Sequence, residues 1–249
     1  MTEVAADAAP RSLDGRVVLV VGAHGGLGRA ASLAAAAAGA RVVLLGRRVP
    51  RLERLLDAIA AKGGQASAYP LDLEGASPDD YVDLAARIDA EYGRLDGLLH
   101  AAAEFRGLTP LLHADPAGFA RALHVNLTAP WWLTQACLPL LLPAPDAALV
   151  FACDDAARVG GAYWGGYGIA KQGVEALVRM LHAELANTGV RVAGLQPGPM
   201  RTPLRERAYA DDAPHAARAP EAYADACVEL LSAAGAAHRG RVWAPDARA

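Results

Sequence analysis

The stretch Arg16-Val-Val-Leu-Val-Val-Gly-Ala-His-Gly-Gly-Leu-Gly28 decides the fold of this chain. Its apolar run, residues 17–21, has the length and β-branching of a buried parallel strand. Glycines at positions 22, 25, 26 and 28 follow, and an alanine-rich helix is predicted over residues 29–38. A strand, a glycine turn and a helix in this order are the context that a dinucleotide fingerprint requires. The alternative is a plain turn between a strand and a helix.

Three of these glycines have separate predicted roles, each of which depends on the absence of a side chain. Gly22 permits a tight turn, Gly26 lets the backbone approach a pyrophosphate, and Gly28 lets the helix pack on the strand. The helix N-terminus then offers free N–H groups and a partial positive charge to phosphates. The loop therefore predicts a nucleotide site, and its other predicted contacts are His24, Gly25 and Leu27.

Length, charge and composition bound the possibilities. The 249 residues fit a large α/β domain, predicted over residues 13–249 after a flexible tail, residues 1–12. A net charge of −3 argues against nucleic acid or an anionic membrane as a partner. The three cysteines and seven histidines lack metal-ligand or redox spacing, which predicts no metal and reduced thiols. The tail lacks a signal sequence, so we expect a cytoplasmic protein.

Strand and helix patterns alternate along the chain. We predict strands over residues 17–21, 41–45, 65–70, 95–100, 147–152, 190–195 and 241–243. Helices are predicted over residues 29–38, 50–62, 78–91, 119–142 (interrupted near Pro130), 166–187 and 221–234. Such alternation implies right-handed crossovers and one seven-stranded parallel sheet covered by helices on both faces.

Two arginines follow the second predicted strand. At this place an acidic side chain would bind a ribose 2′-hydroxyl, whereas an arginine suits a 2′-phosphate. Arg47 and Arg48 therefore favour NADP over NAD. The alternative is a solvated pair of surface arginines.

Asp72 and Leu73 follow the third predicted strand. The carboxylate of Asp72 is a candidate acceptor for an adenine amino group, with Leu73 packed under the ring. The alternative for Asp72 is a helix cap or a solvated turn residue.

The pair Tyr167 and Lys171 is the strongest chemical signal. Four residues apart on one helix, the two side chains share a face. A free phenol has a pKa near 10, too high for proton transfer at neutral pH, and a neighbouring ammonium lowers it. The pair suits proton transfer that accompanies hydride transfer to or from a nicotinamide. The alternative is an unrelated tyrosine and lysine.

Taken together, these motifs resemble the short-chain dehydrogenase/reductase family, and above all small bacterial members of uncertain substrate. The resemblance covers about residues 13–243 in order and at family spacing, and rests on the glycine loop, Asp72, Asn126, Tyr167, Lys171, Pro197, Gly198 and Thr202. It implies a three-layer Rossmann fold, a nicotinamide cofactor and a small-molecule carbonyl or alcohol substrate.

The resemblance also implies residue roles. Tyr167 would be the acid/base, and Lys171 would bind the nicotinamide ribose and lower the pKa of Tyr167. Asn126 would hold a water in a proton relay. Residues 197–202, with Pro197, Gly198, Met200 and Thr202, would lie along the nicotinamide carboxamide. The helices over residues 131–142 and 166–187 would form a homodimer or homotetramer.

Two departures from the family pattern concern the cofactor side. The threonine that usually precedes the first glycine is Val21 here. The Asn-Asn-Ala-Gly stretch after the fourth strand is replaced by residues 100–103, His-Ala-Ala-Ala. We expect looser support around the cofactor, although Ala101 and Ala102 still allow close approach to it.

A third departure concerns catalysis. The family places a serine thirteen residues before the tyrosine, and Asp154 stands there in this chain. An ionised aspartate only accepts hydrogen bonds and would repel a developing alkoxide. Three explanations stay open. Burial beside Asp155 would favour a protonated carboxyl that donates, the substrate could bring its own donor, or catalysis could have been lost.

The remaining predictions concern the substrate side. Tyr163 and Trp164 would line the substrate pocket, and the proline-containing segment over residues 199–220 is either a lid or a mobile surface loop. The sequence thus predicts an NADP(H)-dependent oxidoreductase acting on a carbonyl/alcohol pair. The alternative is a nucleotide-binding sensor or scaffold subunit with impaired catalysis.

Overall fold

The computed structural model describes residues 12–209 and 217–245. Within them, one parallel sheet has the strand order β3-β2-β1-β4-β5-β6-β7. The strands are β1 (Val17–Val21), β2 (Arg41–Gly46), β3 (Gln65–Pro70), β4 (Gly97–His100), β5 (Ala147–Ala152), β6 (Val190–Leu195) and β7 (Val242–Trp243). The predicted seven-stranded parallel sheet is confirmed.

Helices cover both faces of the sheet, as the alternating pattern predicts. They are α1 (Gly26–Ala37), α2 (Val49–Ala60), α3 (Pro78–Tyr92), α4 (Pro116–Leu123), α5 (Ala129–Leu141), α6 (Ala156–Val159), α7 (Gly165–Glu184), α8 (Pro203–Ala208) and α9 (Ala224–Leu231). One apolar core packs α3, α5 and α7 against the sheet, and a second packs α1, α2 and α9. These three layers form a Rossmann fold.

The turn from β1 to α1 confirms the roles predicted for Gly22 and Gly28. Gly22 has φ of 79°, and a Cβ there would lie 2.6 Å from Cα of Ala102. A Cβ on Gly28 would collide with the carbonyl oxygen of Gly22. Only glycine lets the turn close, lets α1 pack on β1 and lets β1 end beside the residues that follow β4.

The long helical stretch predicted over residues 119–142 was wrong in its details. It consists of α4, a π-helical turn (His124–Thr128) and α5. The interruption lies in this π turn, because Pro130 sits in the first turn of α5, where a missing N–H costs little. Sequence patterns also missed the short helices α6 and α8.

Some predictions fall outside the described residues. These are residues 1–11 of the predicted tail and residues 210–216 of the predicted lid. No helix in the described part of the chain is long and apolar enough to cross a membrane.

Candidate functional site

A cleft runs along the carboxyl ends of the strands. Two adjoining pockets form it, and they share His24, Gly25, Arg47, Ala101 and Glu104. We call the part near Arg47 and Asp72 the nucleotide end and the part near Tyr167 the catalytic end. The cleft brings together most predicted site residues: Gly22, His24, Gly25, Gly26, Leu27, Arg47, Arg48, Asp72, Leu73, Ala101, Ala102, Asp154, Tyr167, Lys171, Pro197, Gly198, Met200 and Thr202. The other two, Gly28 and Asn126, lie behind its walls.

The glycine loop leaves a cradle for an anion at the N-terminus of α1. That end of the helix has no side-chain cap, because residue 25 is glycine, so its first N–H groups have no capping side chain as a partner. A Cβ on Gly26 would lie 2.7 Å from the methyl group of Thr202. The absence of side chains therefore keeps the cradle open while α1 packs against the segment that follows β6.

Three arginines surround His24 at the nucleotide end. Arg47 and Arg48 follow β2, and Arg51 lies in the first turn of α2; all three line the cleft. Burial, and then the charges of Arg51, Arg48 and Arg47, lower the pKa of His24. The arginines concentrate positive charge where a 2′-phosphate was predicted, and His24 stays neutral beside them at neutral pH.

Asp72 has two partners in the structure. Its Oδ1 accepts a hydrogen bond from the backbone N–H of Glu74 at 3.2 Å, and Oδ2 lies 3.7 Å from Nη1 of Arg47. Both Asp72 and Arg47 are about half-exposed, so this ion pair is weak. Leu73 is buried in the cleft wall. Recognition of adenine by these two residues stays a prediction.

At the catalytic end, Asp154 receives three hydrogen bonds. The hydroxyl of Tyr167 donates to its Oδ2 at 2.7 Å, and its own Oδ1 accepts from the backbone N–H of Asp155 at 2.8 Å. The guanidinium of Arg158, one turn further along the chain, donates to Oδ1 and forms an ion pair. Every contact uses the carboxyl as an acceptor, so none of them uses it as a donor.

One explanation for Asp154, a proton retained through burial beside Asp155, finds no support in this geometry. Asp155 turns away to cap α6, and its carboxylate accepts from the backbone N–H groups of Ala157 and Arg158 at 3.0 and 3.2 Å. The side chain that faces Asp154 is the cation of Arg158. Its charge compensates that of the carboxylate.

The pKa of Tyr167 runs against the sequence expectation. Burial raises it well above 10, and the neighbouring Asp154 raises it further, while Arg158 opposes the shift. Lys171 Nζ lies 5.7 Å from the centroid of the Tyr167 ring and donates to the carbonyl oxygen of Ala152 at 2.7 Å. The pKa of Tyr167 is thus shifted in the direction opposite to the expected lowering, and the phenol is protonated at neutral pH.

The side chain of Asn126 is hydrogen-bonded to the backbone of two other segments. Its Oδ1 accepts from the backbone N–H of Glu104 at 2.9 Å, and its Nδ2 donates to the carbonyl oxygens of Glu104 and Ala122, both at 2.8 Å. The side chain is buried in the π-helical turn and holds the loop after β4. A relay water on Asn126 stays a prediction, and its side-chain amide is already engaged.

An aromatic cluster covers Tyr167. Its ring packs against Phe105 and Trp164 with centroids 5.1 and 5.8 Å apart. The apolar side chains of Leu204, Ala208 and Tyr209, which belong to α8 or follow it directly, pack on the same cluster. Trp164 lines the catalytic end as predicted, but Tyr163 does not. With φ of 75°, Tyr163 lines a neighbouring depression instead.

His100 occupies a buried place under the cleft. Its Nε2 lies 2.9 Å from Oγ1 of Thr134, its ring stacks on Phe151, and its Nδ1 has no partner among the described residues. Burial, and then the charge of Lys171, lower its pKa to about 3. The residue that departs from the family pattern is thus neutral and forms part of the core. No group of acidic, histidine or cysteine side chains in the described residues could hold a metal ion.

Comparison with known proteins identifies the chain. The model of the short chain dehydrogenase family matches residues 16–213, which include the glycine loop and the catalytic end of the cleft. The chain belongs to the short-chain dehydrogenase/reductase family. Solved structures of short-chain dehydrogenases share the fold described above.

Several members of the short-chain dehydrogenase family are similar along most of their length. The Escherichia coli (strain K12) protein "Uncharacterized oxidoreductase YciK" is 35% identical over 84% of this chain and 82% of its own. A short chain dehydrogenase structure from Pseudomonas syringae has a TM-score of 0.90 at 40% identity and covers 97% of this chain and 98% of its own. A structure from Escherichia coli CFT073, complexed with NADPH, has a TM-score of 0.91 at 33% identity over 95% and 99%.

Sequence reasoning missed several residues of the cleft. Arg158 stands four residues after Asp154 and is the main omission, although an acid and a base at this spacing often pair. The pattern also missed Arg51, Arg205, Arg207 and Tyr209, which line the cleft. The last three could not be found because they belong to a segment whose path depends on tertiary packing.

We expect His100→Asn to remove part of the acid sensitivity of folding. Folding lowers the pKa of His100 from 6.5 to about 3, so between these values the unfolded chain binds a proton that the folded chain does not. The contribution vanishes above pH 6.5 and destabilises the fold as the pH falls below it, by about 1 kcal/mol per pH unit.

Urea unfolding between pH 7.5 and 4.5 measures this effect. The free energy of unfolding of His100→Asn should fall less steeply with acid than that of the wild type. The exposed residue His113 provides the control, and His113→Asn should keep the wild-type slope. Parallel slopes for His100→Asn and the wild type would contradict the assignment.

Proposed function

We propose that the protein is an NADP(H)-dependent oxidoreductase that interconverts a carbonyl compound and its alcohol. The observation that carries the proposal is the position of Tyr167 and Lys171 on the wall of the cleft that begins at the glycine loop. Similar structures from Escherichia coli CFT073 and Shigella flexneri 2a are complexed with NADPH and NADP, respectively, which supports this cofactor.

The chain's own residues fit such a cofactor. The open cradle at the N-terminus of α1 suits a pyrophosphate, and Arg47, Arg48 and Arg51 suit a 2′-phosphate. Asp72 and Leu73 would hold the adenine, while Ala101, Ala102 and residues 197–202 would line the path to Tyr167. When bound, the cofactor supplies the hydride that joins the carbonyl carbon or accepts the hydride that leaves the alcohol.

Tyr167 would handle the proton of this reaction. Its raised pKa keeps the phenol protonated at neutral pH, so in reduction it donates a proton to the substrate oxygen as the carbonyl carbon receives the hydride. Lys171 is buried, and burial lowers its pKa. Its ammonium would stabilise the phenolate that remains after the transfer.

Asp154 and Arg158 would act together in place of the serine. The carboxylate orients the phenol of Tyr167 and fixes the guanidinium of Arg158 on its other oxygen. Arg158 therefore places a positively charged hydrogen-bond donor next to Asp154, which itself contacts the phenol. A cation at this place would stabilise negative charge on the substrate oxygen, which offsets the repulsion from Asp154.

Helix α8 would act as a lid, which is one of the two alternatives that the sequence left open for residues 199–220. Nη1 of Arg207 donates to the carbonyl oxygen of Phe105 at 2.6 Å and so ties α8 to the loop after β4. The apolar side chains of α8 pack on the aromatic cluster over Tyr167. Such a cover would exclude water from the reaction.

The three buried free cysteines support a reducing compartment, which we take to be the cytoplasm.

A second candidate function is a nucleotide-binding sensor or scaffold subunit without turnover. The observation in its favour is the hydrogen bond that commits the Tyr167 hydroxyl to Asp154. A substrate oxygen must compete with this carboxylate for the proton. Binding of the cofactor alone would not need the tyrosine, so variants of Tyr167 separate the two candidates.

The protein should bind NADPH more tightly than NADH and oxidise NADPH with at least one aldehyde, ketone or quinone of a panel. Tyr167→Phe should lower kcat by at least about 10²-fold, because it removes the only proton donor assigned at the site, and should leave NADPH affinity within a few-fold. Fluorescence titration and NADPH absorbance measure the two. Binding without turnover supports the second candidate, and failure to bind either nucleotide refutes both.

Asp154→Ser should raise kcat for a neutral aldehyde by at least about tenfold, because it removes a negative charge and adds a donor. Arg158→Met should lower kcat in the wild type by about 10²-fold but far less in the Asp154→Ser background, where the serine supplies the donor. Asp155→Ser is the matched control, since serine also caps a helix, and should leave kcat unchanged. Additive effects of Asp154→Ser and Arg158→Met would refute the paired role.

We also propose a homodimer or homotetramer, since α7 exposes apolar side chains along one face. Ile169 and Met180 are 55% and 67% exposed, and Trp131 on α5 is 45% exposed. Light scattering should give at least twice the monomer mass. Ile169→Glu with Met180→Glu should reduce it to the monomer mass, whereas Val82→Glu on the exposed face of α3 should not. A wild-type monomer would refute the proposal.

A further inference from the structure

A wall of aromatic rings separates the catalytic end of the cleft from the depression that Tyr163 lines, which we call the outer depression. Among the described residues, Glu104, Trp164 and Tyr167 line both spaces. We call Phe105, Trp164 and Tyr167 the aromatic wall. Their rings contact each other pairwise, with centroids 5.1, 5.1 and 5.8 Å apart, and all three side chains are buried. The packed rings therefore close the direct route between the two spaces.

Trp164 is the member of the aromatic wall that limits the space beside the proton donor. Phe105 lines only the outer depression, and Tyr167 is assigned to proton transfer. The proposed function gives the glycine loop and residues 197–202 to the cofactor. The space that remains for a substrate is bounded by Trp164 and Tyr209, whose ring centroids lie 6.3 Å apart. The length of a substrate is thus set by how far Trp164 reaches into the cleft.

A strained turn holds Trp164 in this position. Tyr163, directly before it, is the only non-glycine residue of the described chain with a positive φ, 75°, and Gly165, directly after it, has φ of 50°. The N–H of Thr109 donates to the carbonyl oxygen of Tyr163 at 3.0 Å and ties the turn to the loop after β4. The Cζ of Arg158 lies 6.0 Å from the centroid of the Trp164 ring. Backbone strain of this kind persists where the surrounding structure fixes it, and it is frequent at functional sites.

The outer depression is suited to an apolar group. Its lining includes apolar side chains from the loop after β4, from α4 and from the turn before α7, namely Phe105, Ala114, Phe119, Ala122 and Tyr163. Its acidic and arginine side chains already have partners, because Asp115 caps α4 and Glu104 pairs with Arg106. An apolar group that passed the aromatic wall would therefore meet a surface of its own chemistry.

We propose that Trp164 restricts the substrate to a compact carbonyl compound, such as one with a single aromatic ring, and that the outer depression receives the remainder of a longer one when Trp164 is made small. The inference rests on the proposed function. The compact body would lie between Trp164 and Tyr209 with its carbonyl oxygen at the hydroxyl of Tyr167. In reduction the carbonyl carbon receives the hydride and the oxygen receives the proton of Tyr167. A rigid second ring would collide with the aromatic wall, whose packed side chains have little room to move.

Benzaldehyde and 4-phenylbenzaldehyde test the size limit, because they differ by one rigid ring. In the wild type we expect kcat/KM to be at least about tenfold higher for benzaldehyde. Trp164→Ala should raise the ratio of kcat/KM for the longer aldehyde to that for the shorter one by at least about tenfold, mainly by lowering KM for 4-phenylbenzaldehyde. Trp164→Phe should give an intermediate ratio. A ratio that stays at the wild-type value in both variants overturns the inference.

Two further positions distinguish the opening of the aromatic wall from a general loosening of the site. Tyr163→Asn changes a side chain that lines the outer depression but not the cleft, and asparagine tolerates a positive φ, so the wild-type ratio should be kept. Ala114→Phe partly fills the outer depression. It should leave the ratio unchanged by itself but remove most of the gain in the Trp164→Ala background. A gain that survives Ala114→Phe overturns the role of the outer depression.

The NADPH affinity of these variants, measured by fluorescence titration, should stay within a few-fold of the wild type, because the aromatic wall lies away from the nucleotide end. If Trp164→Ala does not bind NADPH, Trp164→Phe carries the test. An unchanged ratio in Trp164→Phe then overturns the inference.

The failure of the inference differs from that of the proposed function. Equal kcat/KM for the two aldehydes in the wild type overturns the inference and leaves the oxidoreductase intact. If neither aldehyde is turned over, calorimetry of the NADP complex with benzyl alcohol and with 4-phenylbenzyl alcohol replaces kinetics. Binding of the longer alcohol that is gained in Trp164→Ala then supports the inference while catalysis fails. The same affinities in the wild type and in Trp164→Ala, or no binding of either alcohol, overturn it.

Discussion

The close approach of Gly22 to Ala102 governs the geometry of the site. Strand order places β1 beside β4, and the chain leaves their carboxyl ends toward helices on opposite faces of the sheet. A crevice opens where the crossovers diverge, and ligands of such sheets bind there. Because a Cβ on Gly22 would lie 2.6 Å from Cα of Ala102, the crevice keeps its shape only with glycine at this position.

Tyr167 depends on this crevice and on an unusual neighbour. In the family pattern the neighbour is a serine that donates a hydrogen bond, whereas Asp154 accepts one from the tyrosine. The acid is tolerated because Arg158 compensates its charge and because the backbone of Asp155 satisfies it further. The catalytic end thus contains a carboxylate and a guanidinium where the family pattern has a serine. The pKa of the Tyr167 phenol is higher than that of a free tyrosine.

The predictions from sequence held where the pattern was local. The parallel strands and the structural roles of Gly22 and Gly28 each depend on a few neighbouring residues, and each was confirmed. The π-helical turn at residues 124–128, helix α8 and the depression that takes Tyr163 depend on packing between distant segments. The periodicity of the sequence does not predict these three features.

The sequence alone determined the Rossmann fold, the place of the cleft and many of the residues that line it, because strand and helix periods and glycine spacing are properties of the chain. Tertiary structure decided how the charges act. It pairs Arg158 with Asp154 and hydrogen-bonds the side-chain amide of Asn126 to the backbone of Glu104 and Ala122. It also buries Tyr167, which raises the pKa of the phenol. Electrostatic effects depend on distance and burial, and both arise only when segments far apart in sequence meet.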